Sequence, residues 1–275
     1  MHCDRSILLP RQRFSVPVAI VWLCALSGCV ATMRAGRRTA ESPYTLWVGP
    51  FAVRTLQPLD EDGTEAQALR TVAVEIDKEL GKRPVHDPIE VFLFADRERY
   101  EQFLREQGSR LPYRRALFVR DGARRMVYAY RSGRIGRDLK HEATHALLSA
   151  RCGSVALWLD EGLAEYFEAD AAEGHLQPAH VRELAAQRDG SGWRPDIRRL
   201  AAKKHTEQFT RRDYAEAWLW CHFLLRSSEQ TKQWLIESLE RDGGRELANR
   251  LASAPGLWQA RLLQHLAALE SLLPP

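Results

Sequence analysis

Apolar positions along this chain change their spacing repeatedly up to about residue 170 and then keep a helical period to the end. Tyr44 to Thr55 is rich in aromatic and β-branched residues and is interrupted by Gly49-Pro50, which predicts a hairpin or a bent strand. Ala66, Leu69, Val72, Ala73, Ile76 and Leu80 form one helical stripe, so a helix is expected from Thr64 to Leu80, stopped by Gly81 and Pro84. Ile89 to Phe94 reads as a strand, and Asp96 is placed to cap a helix from Arg97 to Gln107. Ala116 to Arg120 and Arg125 to Tyr130 read as two strands joined at Asp121-Gly122. Beyond residue 170 helices are expected at Val181–Gln187, Ile197–Lys203, Tyr214–Arg226, Thr231–Leu239 and Leu257–Leu273. Polar loops at Arg188–Trp193, Ser227–Gln230 and Asp242–Gly244 separate some of them. The expected class is α+β: a mixed sheet with helices over 43–170, then a helical subdomain over 171–275.

Composition narrows the function without naming it. The 275 residues are 45% hydrophobic and 28% charged, and neither Gly (17) nor Pro (13) is enriched, which excludes collagen-like, low-complexity and disordered classes. A net charge of +4 is too balanced to argue for a nucleic-acid partner, and none is expected. Five scattered cysteines exclude a disulfide framework. Arg110 to Lys140 holds ten basic and two acidic residues, which reads as a solvated arginine-rich face or as a positive rim favouring anionic substrates or headgroups.

The N-terminus reads as an address. Arg5, Arg11 and Arg13 precede an apolar run from Val16 to Leu26, too short for a finished transmembrane helix. Leu26-Ser27-Gly28-Cys29 follows and resembles the lipobox of bacterial lipoproteins. That resemblance implies a signal peptide over 1–28, a lipid on Cys29 and a tether over 29–42, against the plainer reading of an ordinary secretory signal. It also implies a cell-envelope protein anchored in a membrane. Val30, rather than Asp, at the next position points to the outer membrane facing the periplasm. Cys152 and Cys221 would be the other mature thiols, either paired or each buried as a small apolar residue.

The chemistry centres on His141-Glu142-Ala143-Thr144-His145. Residues four apart share a helix face, so two imidazoles can hold one metal ion while Glu142 reaches a water on it as general base. The neighbours Ala143, Thr144, Ala146, Leu147 and Leu148 mark a buried helix rather than a solvated one. Sixteen residues after His145, Glu161 stands in a second helical stretch, Trp158 to Glu168, with Cys152-Gly153-Ser154 as the break between. Its carboxylate would complete a two-His, one-Glu zinc site with an open position.

The pair of motifs, HEATH and W-L-D-E-G-L-A-E-Y, is similar to the catalytic core of the gluzincin metallopeptidases, closest to small bacterial peptidase-MA-like domains. The resemblance covers His141 to Phe167 and implies a zincin-like domain, with His141, His145 and Glu161 as zinc ligands and Glu142 as base. Glu165 takes the role of hydrogen-bonding a ligand histidine from outside. The same family implies an oxyanion donor on a downstream helix, Tyr214 first, with His205 and His222 as alternatives. It also implies a sheet-edge strand that pairs with the substrate backbone, assigned here to Arg125–Tyr130, which otherwise reads as an internal strand. Asp160 departs from the usual Asn, and the aminopeptidase G-x-M-E-N segment is missing, so no aminopeptidase specificity follows. His86, His175, His180 and His265 have no partner spacing and read as surface or core residues.

The expected function is therefore zinc-dependent hydrolysis of peptide bonds in envelope peptides or proteins. The competing expectations are a zincin-shaped scaffold or binding lipoprotein without turnover, and a hydrolase of non-peptide amides such as peptidoglycan cross-bridges, which would use the same residues.

Overall fold

The computed structural model describes residues 43–107 and 114–274. The expected leader over 1–28, the tether over 29–42 and Cys29 lie outside the described residues. Within them no helix is long and apolar enough to cross a membrane.

Five strands form one mixed sheet: β1 (Tyr44–Val48), β2 (Phe51–Thr55), β3 (Ile89–Phe94), β4 (Ala116–Asp121) and β5 (Arg124–Tyr130). Their order is β1-β2-β3-β5-β4. β1 and β2 form the expected hairpin, turned at Gly49, whose φ of 56° is cheap only for glycine. β2, β3 and β5 run parallel, and β4 returns antiparallel on β5 through a turn with Gly122 at φ 58°. β4 is thus an edge strand and β5 an internal one. The assignment of Arg125–Tyr130 as the edge is corrected, because β5 uses both of its sides, one on β3 and one on β4.

Side-chain alternation clothes both faces of the sheet. Val91, Leu93, Val127, Ala129, Ala116 and Phe118 point into the main core. Helices α1 (Thr64–Leu80) and α3 (Ile135–Cys152) belong to that core. Phe92, Leu117, Val119, Met126 and Tyr128 point the other way, onto Tyr100 and Leu104 of α2 (Arg97–Glu106). Asp96 caps α2 as its sequence predicts, accepting from the Arg99 N–H at 2.9 Å.

α3 ends at Cys152 with Gly153 at φ 75°, and the chain returns antiparallel as α4 (Leu157–Glu168). Then follow α5 (Pro178–Ser191), α6 (Ile197–Ala202), α7 (Arg211–Arg226), α8 (Glu229–Asp242), α9 (Arg245–Ala252) and α10 (Pro255–Glu270). α7 is buried continuously from Ala215 to Leu225, as befits a helix enclosed by its neighbours. One contiguous apolar core joins the sheet to this helical half. Cys221 is buried and Cys152 half-buried, and both are free thiols, which decides between the two readings of that pair.

α7 starts three residues before Tyr214 because Thr210 and Asp213 form a reciprocal capping box. α5 runs past the expected loop at Arg188 until Gly192 adopts the left-handed conformation that ends it. α9 was not expected at all.

Candidate metal centre

α3 carries His141 and His145 one turn apart, with ring centroids 4.9 Å from each other. α4 crosses alongside and brings Glu161 to both: its Oε2 is 3.7 Å from His141 Nε2 and 3.8 Å from His145 Nε2. These separations are too long for hydrogen bonds. They approach the roughly 3.3 Å between two ligand atoms around a tetrahedral ion with bonds of about 2.0 Å. The three residues form a triad suited to a metal ion, their ligand atoms all within 4.8 Å of one another. The three expected ligands therefore lie together.

A carboxylate also lies beside the far side of each ring. Glu168 Oε2 lies 2.9 Å from His141 Nδ1, and Asp160 Oδ2 lies 3.0 Å from His145 Nδ1. Each arrangement turns an Nε2 toward Glu161, the pattern that orients metal-binding histidines. This corrects the role expected of Glu165, whose Oε2 is instead 2.8 Å from His180 Nε2 on α5. Helix geometry gives the reason. Glu168 is seven residues from Glu161, about 20° off the same face, whereas Glu165 is about 40° round in the opposite sense. Because α3 and α4 are antiparallel, the later residue of α4 meets the earlier histidine.

These acids set the charge of the site. Burial disfavours a charged His145, but Asp160 and Glu161 outweigh it and push its pKa up to about 9. For His141 burial likewise opposes charge, and Glu161 and Glu168 overcome it, so it rises well above the usual imidazole value. Burial would raise Glu161, yet His145, His141 and Arg114 hold it below the ordinary carboxylate range. The cluster draws positive charge between its rings, where a divalent cation would sit.

Glu142 is buried on the wall of the same cavity, and its Oε2 accepts the backbone N–H of Phe118 at 2.7 Å. That N–H is on the free side of edge strand β4. Tyr214, in the first turn of α7 with its ring against Phe209, also lines the cavity. The two alternatives do not line it. His205 is exposed, and His222 is buried two turns further along α7, between His265 Nε2 (2.9 Å) and the Gly174 carbonyl (3.1 Å).

Sequence reading missed Asp160, Glu168 and His180. For the first two a signal existed, since both follow from the antiparallel register once Glu161 is paired with two histidines. His180 meets Glu165 fifteen residues away on another helix, which no local spacing reveals.

The cavity has a volume of about 450 Å³, in the range of pockets that enclose small ligands. Over residues 137–245 the chain matches the model of a family described as a protein of unknown function, DUF1570. That stretch runs from α3 to the start of α9 and includes the histidine–glutamate triad, Glu142 and Tyr214. No curated protein matches the sequence.

Proposed function

We propose that this chain is a zinc-dependent peptidase of the cell envelope, gluzincin-like in its chemistry and anchored through a lipid on Cys29. The observation that carries the reading is the convergence of both Nε2 atoms and the Glu161 carboxylate beside the buried Glu142. Two imidazoles and one carboxylate are borderline donors that suit zinc, and three protein ligands leave a fourth position open. A zinc ion bound there supplies Lewis acidity, which makes a water molecule acidic near neutral pH.

The chain's own groups do the remainder. Glu142 takes the proton from the attacking water and delivers it to the leaving amine. The Phe118 N–H fixes that carboxylate against β4. The Tyr214 hydroxyl donates to the carbonyl oxygen as it gains charge. β4, with one side unpaired among the described residues, offers backbone groups to an extended peptide added as a further strand.

The test is metal analysis of the mature protein together with hydrolysis of a denatured protein substrate. One zinc per chain is expected, with turnover abolished by a chelator. Glu142→Gln should keep the zinc and lose the turnover. Stoichiometric zinc with no hydrolysis of any envelope polymer, and an unimpaired cell carrying Glu142→Gln, would establish the scaffold reading instead.

A further inference from the structure

Arg114, Arg115, Arg134 and Arg137 line the same cavity as the metal triad. Three of them act on acids: Arg115 holds Asp138 with bonds of 2.7 and 2.8 Å, Arg137 pairs with Glu168, and the charge of Arg114 acts on Glu161. Arg114 is half-buried and donates to the Thr206 hydroxyl at 3.3 Å. Arg134 is exposed and makes no ion pair among the described residues.

The cavity's carboxylates are each engaged within the protein. Besides Asp138 and Glu168, Glu142 takes the Phe118 N–H, Glu165 takes His180, and Glu161 faces the two histidines. A divalent ion added to this set leaves the mouth of the cavity positive. The location of Arg134 reinforces this. It is the residue preceding α3, where its side chain makes no capping bond and its charge opposes the helix dipole. Arg134 is thus a cation placed against its local preference, beside a cavity and without an acid partner among the described residues, so a ligand carrying an acid can supply that partner.

We propose that the cavity selects peptides with carboxylate side chains beside the scissile bond, held by Arg134 and Arg114. Planar guanidiniums suit carboxylates and phosphates alike, and what favours a peptide over a phosphate ester is the edge of β4, unpaired among the described residues, which adjoins the cavity and can read an amide backbone. The inference rests on the peptidase reading for what happens to the bound peptide, but not for the binding preference.

The experiment is calorimetry of zinc-loaded Glu142→Gln protein with an alternating Ala-Glu peptide and with its Ala-Gln counterpart. The acidic peptide should bind about ten-fold more tightly at low salt, and the difference should shrink at high salt. Arg134→Gln and Arg114→Gln should each lower the ratio several-fold, with the Arg134→Gln melting temperature unchanged or higher. Equal affinities, no binding of the acidic peptide, or a ratio that both arginine variants leave intact would overturn the proposal. Cleavage by the unsubstituted protein is read separately. An acidic preference without cleavage sinks the peptidase reading and leaves this one standing, whereas cleavage with equal affinities does the reverse.

Discussion

Glu168 Oε2 lies 2.9 Å from His141 Nδ1, two helical turns along α4 from the carboxylate that faces the ring's other nitrogen. One helix therefore places a carboxylate on each side of one imidazole, and the closer of the two fixes the ring's orientation. Glu168→Gln should weaken zinc binding by about 10- to 100-fold in a competitive chelator titration. Glu165→Gln, which alters the contact with His180 instead, should weaken it far less. Equal losses in the two variants would remove the distinction.

Tyr214 lines the cavity from the first turn of α7, and Thr210, Asp213 and Arg199 secure that turn: Thr210 and Asp213 cap it, and Arg199 pairs with Asp213. With the helix start held, the phenol would serve the proposed reaction as a fixed donor. Tyr214→Phe should cut kcat by about 100-fold and leave KM nearly unchanged, because the bond strengthens only as charge develops on the substrate oxygen. An unchanged kcat would remove Tyr214 from the reaction.

Much of this was legible because local patterns reported local structure. Thr64–Leu80 appears with its expected ends, since a single stripe meets Gly81, and Ile89–Phe94 is a short apolar run that both faces of the sheet bury. The triad was legible because i and i+4 on one helix need only one partner helix. Relations between distant elements were not. The β4–β5 hairpin is visible in Asp121-Gly122, but nothing in it says that β3 takes β5 rather than β4 as its neighbour, and that choice decides the edge. Glu165 and Glu168 differ by a rotation that matters only once α3 and α5 occupy their sides of α4. α9 escaped because eight residues between Gly244 and Pro255 make only two turns, although Leu247, Ala248, Leu251 and Ala252 do share a buried face.

Gly162, next to Glu161 of the histidine–glutamate triad, sets how closely α4 approaches α7. A Cβ there would lie 2.5 Å from the Ala217 carbonyl oxygen, 2.8 Å from its carbon and 2.6 Å from Cys221 Sγ. Backbone atoms cannot step aside, so the helices must separate. Gly162→Ala should lose about 1–3 kcal/mol to overpacking, more than the roughly 1 kcal/mol that alanine gains as a helix former. Gly190→Ala on α5 meets nothing within 4 Å and should be neutral or stabilising. Thermal melts of the two variants give the comparison, and a Gly162→Ala protein as stable as its parent would refute the close-contact account.

His175 and His222 are buried and held uncharged. Burial, with the charge of Arg226, lowers His175 to about 4. Burial, with His265 and Arg226 beside it, lowers His222 to about 3. An unfolded chain takes up these protons near pH 6.5, and the folded chain refuses them until far lower. Their contribution to stability is therefore complete above about pH 6.5. It is lost as pH falls, at about 1.4 kcal/mol per pH unit for each group, until the folded pKa is reached. His222→Gln keeps a neutral polar group near the Gly174 carbonyl but cannot be protonated. It should cost about 1 kcal/mol at pH 7 through poorer hydrogen bonding and should make the decline from pH 7 to 5 shallower. Denaturant unfolding across that range measures both quantities. A variant whose stability falls as steeply as the parent's would show that His222 is not one of the groups the folded protein keeps neutral.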